Sequence, residues 1–254
     1  MRIRVLGCGT SGGVPRIGGQ WGVCDPSEPK NRRRRSSVLV QTDTVSVIID
    51  TTPDLREQCL DADLRRLDAV LYTHEHADHV NGIDDLRAFR YMQKAPVPAY
   101  ADARTMGRLQ SRFGYIFTDQ EGYPAICQPR VIDGPLRIGD LPVQPIRQLH
   151  GPGETLGFRM GGFAYSTDLN GLPDSSKALL RGLDLWIVDA LRPTPHPTHT
   201  HLAQTLDWIE EVQPRQALLT HMNWDMDYAT LCAELPPGVR PAFDGQTIVL
   251  PDPD

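Results

Sequence analysis

Positions 73–79 read Thr-His-Glu-His-Ala-Asp-His, which sets His74, His76, Asp78 and His79 within six positions of one another. Imidazole nitrogens and carboxylate oxygens are donors that zinc, manganese and iron accept, and a turn leaving a strand aims such closely spaced side chains at one point. The string therefore reads as a metal cage. Three further polar residues stand directly after apolar or β-branched runs: His150 after 143–149, Asp168 after 163–167 and His221 after 217–220. Each alone reads as a loop residue; their repetition at strand ends, where side chains can converge, points to one shared site. A second histidine-rich tract, Pro195-His196-Pro197-Thr198-His199-Thr200-His201, offers three imidazoles suited to proton transfer, and spacing alone does not choose among them. Asn31 is followed by four arginines, 32–35, of which one is expected to reach an anionic substrate while the rest form a solvated turn.

The elements that position these groups are short. Strand-like runs fall at 2–6, 36–41, 45–50, 68–73, 142–149, 155–160, 163–167, 184–189 and 215–220, and helical patterns at 53–64, 102–112, 174–182, 202–212 and 227–234. This alternation is that of an α/β layered fold. The segment 113–130 carries aromatic residues without clean periodicity and reads as an insertion or lid near a site, or equally as a packed surface loop. The Gly-rich stretch from Gly7 to Gly13 lacks the spacing of a phosphate loop and is expected to provide backbone freedom near the metal edge.

The chain has 254 residues, 40% hydrophobic and 23% charged, which predicts one packed domain across 1–254. No basic segment followed by an apolar stretch opens it, and no apolar run reaches the roughly 20 residues of a membrane span, so a cytoplasmic protein without membrane insertion is expected. Five widely spaced cysteines fit neither a disulfide framework nor a paired-cysteine zinc site and are expected to be reduced. A net charge of -6 argues against an extended nucleic acid as partner.

On the H-x-H-x-D-H string, the later lone His150, the Ser-Thr-Asp ending at Asp168 and the Leu-Thr-His ending at His221, the chain resembles the metallo-β-lactamase superfamily along nearly its whole length. That resemblance implies a four-layer αβ/βα sandwich with metals at one edge. It assigns His74, His76 and His150 to one ion, Asp78, His79 and His221 to a second, and Asp168 as the bridge between two divalent ions, zinc or manganese. A metal-bridging hydroxide would then attack a phosphodiester. Within the superfamily the chain is similar to the cyclic-phosphate phosphodiesterases of the carbon–phosphorus lyase pathway, through Gly7 to Pro15, Trp21-Gly22 with Cys24, the arginine run before Ser36, and His199-Thr200-His201-Leu202 opening a helix. This second resemblance makes His199 the group that protonates the leaving oxygen, with His201 as second choice, and Asp78 joins them as a catalytic candidate.

That family carries several cysteines after Trp-Gly that bind a structural zinc, whereas here only Cys24 stands; loop 16–31 must be organised otherwise, and no third metal is expected. The implied partner is a small phosphodiester or nucleotide, and the family is compatible with a homodimer. Two alternatives are a tRNA 3′-end-processing endonuclease, for which no basic arm is evident, and a non-catalytic metal-binding relative of the pyrroloquinoline-quinone biosynthesis proteins. Thioester or lactam hydrolysis would use the same cage on a carbonyl.

Overall fold

The apolar runs of this chain are continuous rather than alternating, and the reason is visible in a computed structural model, which describes residues 1–120 and 122–253. The first sheet contains β1 (Arg2–Gly7), β2 (Ser37–Gln41), β3 (Ser46–Ile49), β4 (Ala69–Leu71), β5 (Val97–Ala101) and β6 (Cys127–Val131). The second contains β7 (Leu136–Ile138), β8 (Leu141–His150), β9 (Gly153–Met160), β10 (Phe163–Ser166), β11 (Leu185–Asp189), β12 (Gln216–Thr220) and β13 (Val239–Pro241). The last strand, β14 (Thr247–Val249), returns to β1, giving the orders β14-β1-β2-β3-β4-β5-β6 and β13-β12-β11-β10-β9-β8-β7.

Val38, Val40, Val47, Ile49, Ala69 and Leu71 pack with Val143, Phe158, Tyr165 and Ile187 in a core between the sheets. Leu39, Ile48 and Val70, one residue out of step, pack instead against helices α1 (Leu55–Asp61), α3 (Arg87–Gln93), α4 (Ala103–Arg112) and α5 (Gly114–Phe117), through Leu55, Phe89, Met106, Leu109 and Ile116. Both faces of these strands are covered, so neither residue parity is polar. Helices α6 (Asp174–Leu179), α7 (Leu202–Val212) and α8 (Tyr228–Glu234) cover the second sheet, with Trp208, Val212 and Leu231 inward. The result is the four-layer αβ/βα sandwich.

In each sheet one half is parallel: β3 through β6 in the first, β10 through β13 in the second. Parallel strands end together, and in such sheets the carboxyl ends open a crevice for ligands. Asp50, Thr73 to His79, Asp168, Asp189 and His221 all lie at the carboxyl ends of these strands or just beyond them. A short helix, α2 (Ala77–Val80), fixes the end of the histidine string.

Several elements carried no strand or helix signal in the sequence. Pro98 and Pro129 interrupt β5 and β6, and β7, β13 and β14 have three residues each, too few for a pattern. The segment 113–130 is not a lid: Ile116, Phe117, Ile126 and Cys127 belong to the buried core under the first sheet, and β6 ends that sheet. The five cysteines are unpaired. Among the described residues, no helix is long and apolar enough to cross a membrane.

Candidate active site

The site is built from fixed imidazoles. Asp50, fully buried at the end of β3, accepts the backbone N–H of Thr73 and the Thr73 hydroxyl, both at 2.8 Å, and lies 2.7 Å from His79 Nδ1. With its proton given to Asp50, the Thr73 hydroxyl accepts from His74 Nδ1–H at 2.9 Å. His150 Nδ1–H donates to the Thr198 carbonyl at 2.7 Å. In each of these rings one nitrogen is used to set orientation, so that Nε2 is the nitrogen presented to the site, as in carboxylate- or carbonyl-backed metal ligands.

Those nitrogens converge on Asp168. Its Oδ1 lies 3.9 Å from His74 Nε2, and its Oδ2 lies 3.0 Å from His79 Nε2 and 3.5 Å from His221 Nε2. Asp78 Oδ2 stands 3.3 Å from His79 Nε2 and 3.6 Å from His221 Nε2. Two donor groups emerge, His74, His76 and His150 on one side and Asp78, His79 and His221 on the other, with Asp168 a member of both. A third grouping, of Asp168, Asp189, His199 and His221, overlaps them. Asp50, Asp168 and His221 hold left-handed backbone, with φ of 65°, 54° and 56°, a conformation disfavoured outside glycine but tolerated by Asp and His in tight turns.

The electrostatics favour a cation here. Burial opposes a charged imidazole at His79 and His221, yet Asp168, Asp78 and further carboxylates outweigh it, raising His79 well above its ordinary value and His221 to about 9. Burial likewise disfavours the charged Asp168 and Asp78 carboxylates, but the imidazoles outweigh it and hold both well below the usual range. On the other side, burial, reinforced by neighbouring imidazoles, lowers His74 and His150 and so keeps their nitrogens neutral for coordination. Among the described residues, buried His79 Nε2, both ring nitrogens of His221 and Asp189 Oδ1 have no hydrogen-bond partner. Orphaned nitrogens and acids around one point are what divalent ions with N and O donors would satisfy, so the residues fit such ions.

His199 joins this cluster and His201 does not. The His199 ring lies 4.7 Å from that of His150 and 4.9 Å from that of His221, and its Nδ1 is 3.1 Å from Asp189 Oδ2. The His196 ring lies tilted 5.2 Å from it and accepts the Thr198 N–H. His201 is the cap residue of α7 and takes no part in the donor groups or the pocket lining.

A pocket of about 340 Å³ opens over the donors, lined also by Ser11, Glu75, Arg104, Gly153, Glu154 and Thr198. The arginine run 32–35 is absent from it, against expectation. Bridges from Gly9 to Arg35 and from Val14 to Arg33 turn the run away, and a Cβ on Gly7 would strike the Arg35 carbonyl. Arg34 pairs with Asp61 at 2.7 Å and Arg35 with Asp54 at 3.0 Å, while Arg32 and Arg34 line a separate cavity with Arg4. Arg33 is buried and donates to the carbonyls of Asn223 (3.1 Å) and Met226 (2.6 Å) and to Asn31 (3.3 Å). Together with Asn31 bonded to Asp227, it organises loop 16–31 beside Cys24. Reasoning from sequence missed Asp50, Asp189 and Arg104. The first two follow the apolar runs Val47-Ile48-Ile49 and Leu185-Trp186-Ile187-Val188, the signal that singled out Asp168; Arg104 had none.

A family model for the beta-lactamase superfamily domain matches residues 46–222, a span that contains every donor described above. The chain belongs to that superfamily. It has the metallo-β-lactamase fold and is close to the PhnP family. The crystal structure of a diphosphatase from the PhnP family superposes with a TM-score of 0.91 at 39% identity, covering 98% of this chain and 97% of the other. Human tRNase Z, short form, shares the fold at a TM-score of 0.70 and 17% identity, over 99% of this chain and 100% of the other. An octanoyltransferase of Porphyromonas gingivalis (strain ATCC BAA-308 / W83) is 34% identical over 98% of this chain and 52% of its own length. The chain spans about half the length of the curated relatives it matches.

Proposed function

We propose that this chain is a single-domain, dinuclear phosphodiesterase acting on a small phosphorylated substrate, nucleotide-like or cyclic. The observation that carries the reading is Asp168, whose two oxygens are divided between His74 and the pair His79 and His221. His74, His76 and His150 would hold one divalent ion, Asp78, His79 and His221 the other, with Asp168 between them. Such ions supply a water acidified to near neutrality and positive charge beside the phosphate.

The chain's own residues do the rest. Asp50 and the Thr198 carbonyl fix the rings of His79 and His150, so the donors need not reorganise as charge develops. His199 lines the pocket and, with Nδ1 tied to Asp189, has Nε2 left to deliver a proton to the departing oxygen. Zinc and manganese both suit this donor set.

The diphosphatase relative supports phosphoryl over carbonyl chemistry. The octanoyltransferase name is not carried over: apart from Pro152, the pocket lining is polar, charged or glycine, with no apolar channel for an eight-carbon chain. Nor does the overall charge of -6 suit a tRNA substrate. The test is elemental analysis of concentrated protein together with hydrolysis of bis(p-nitrophenyl) phosphate and 2′,3′-cyclic nucleotides. About two divalent ions per chain are expected, with Asp168→Ala losing both metal and turnover. Less than one ion per chain, or silence across the substrates with metal present, refutes the reading.

A further inference from the structure

A second cavity, of about 460 Å³, shares no lining residue with the pocket over the donors. It lies on the helix-covered face of the first sheet, where Leu6 packs with α1, and three arginines meet there. Arg4 has the same parity as Leu6 on β1, so its guanidinium leaves the sheet on that face. Arg32 and Arg34 flank Arg33 in bridged, extended backbone, where neighbouring side chains point opposite ways. Burying Arg33 against the 223–226 turn therefore sends both neighbours outward to the cavity.

The backbone under each arginine is fixed. Arg4 is paired with both β2 and β14, and the Arg32 N–H donates to the Pro29 carbonyl at 3.1 Å. The Arg34 N–H donates to Asp244 Oδ2 at 2.7 Å, and its carbonyl accepts the Gly9 N–H at 2.7 Å. Charge in the cavity is unbalanced. Arg34 pairs with Asp61, whereas Arg4 donates to the Asp61 backbone carbonyl at 2.8 Å and meets no carboxylate among the described residues. The Arg32 guanidinium has no hydrogen-bond or ion-pair partner among them. Asp244, the other acid of the lining, turns Oδ1 to the Cys8 N–H at 3.1 Å and Oδ2 to the Arg34 N–H. Guanidiniums gathered in this way repel one another and leave N–H donors unmet, and one anion between them relieves both costs.

We propose that this cavity is a second anion site, which takes a phosphate dianion either free or as the monoester of a small organic molecule. A carboxylate brings one charge and one plane of acceptors, enough for a single guanidinium, while tetrahedral phosphate oxygens reach donors on several sides. Pro29 in the wall offers an organic group an apolar surface. The arginine run thus serves an anion, but on the far side of the sheet from the donors.

The test starts from crystals of the native enzyme soaked in tungstate, a heavy tetrahedral dianion. An anomalous peak between Arg4, Arg32 and Arg34 is expected, and its loss in Arg4→Gln/Arg32→Gln with any peak over Asp168 kept. In calorimetry, the number of inorganic phosphates bound per chain should fall by one in that double variant. Arg32→Gln alone, at an exposed position, should weaken this binding by about 10- to 100-fold, the range of one charge-assisted bond. Adenosine 5′-phosphate separates the two sources: tighter binding than phosphate at this site marks a monoester as the ligand, and equal or weaker binding marks the free ion. No peak at the three arginines in native crystals, or unchanged phosphate binding in both variants, overturns the proposal.

Discussion

Asp189 offers the sharpest single perturbation. Its Oδ2 accepts the Asp168 N–H at 3.0 Å, lies 3.4 Å from the Leu169 N–H and holds His199 Nδ1 at 3.1 Å, all in a fully buried position. Asp189→Ala removes this shared acceptor, so the backbone N–H of Asp168 and the imidazole both lose their partner. A buried donor left unsatisfied costs about 1–3 kcal/mol, which for a chain of this size lowers Tm by roughly 2–12 °C. Loss of the imidazole's orientation should cut turnover of alkyl phosphodiesters by about 10²- to 10⁴-fold, the range of general acid catalysis, and turnover of p-nitrophenyl esters far less, because p-nitrophenolate departs without a proton. The assays are calorimetric melting, elemental analysis and kcat on a matched pair of alkyl and p-nitrophenyl diesters. Equal losses on both leaving groups, or metal content falling in step with activity, would refute a positioning role and make Asp189 part of the donor set.

His199→Ala should reproduce the leaving-group dependence with metal retained, whereas His201→Ala should leave both esters unaffected in the same kinetic assay. Asp244, buried and accepting the Cys8 and Arg34 N–H groups, is pushed up to about 6, chiefly by desolvation. Its folded value exceeds the unfolded one near 4, so its stabilising contribution is complete below pH 4 and is lost as pH rises through 6, by about 3 kcal/mol; urea unfolding of native and Asp244→Asn protein from pH 4 to 7 should show the difference between them changing by that order. Arg33→Met removes the bonds from Arg33 to Asn31 and to the Asn223 and Met226 carbonyls, which tie loop 16–31 to the 223–226 turn, so stability should fall by roughly 2–5 kcal/mol and the loop should become the first site cut in limited proteolysis.

The donors were legible in the sequence because chemistry and backbone coincide there. His74 to His79 sit in one turn, and His150, Asp168 and His221 break apolar runs where β8, β10 and β12 stop. Asp189 and Asp50 break runs in the same way, but an aspartate after a strand is common, and only the fold shows that these two act on His199 and His79. Arg104 and the arginine run failed in opposite directions for one reason. Charge density along the chain says nothing of which way a segment turns, and two isolated bridges take 33–35 away from the pocket while a capped helix brings one arginine to it. The strands missed were those with a proline inside or three residues in all, where period carries little information.

The two carboxylate groups that steady the site, Asp50 and Asp189, belong to different sheets, as do the imidazoles they steady. Neither sheet holds a complete set of donors, so an ion gripped by both would act as a rivet through the seam. Loosening the seam would scatter its ligands all at once, and the lifetime of a bound ion would then be a property of how the two halves of the molecule stay shut.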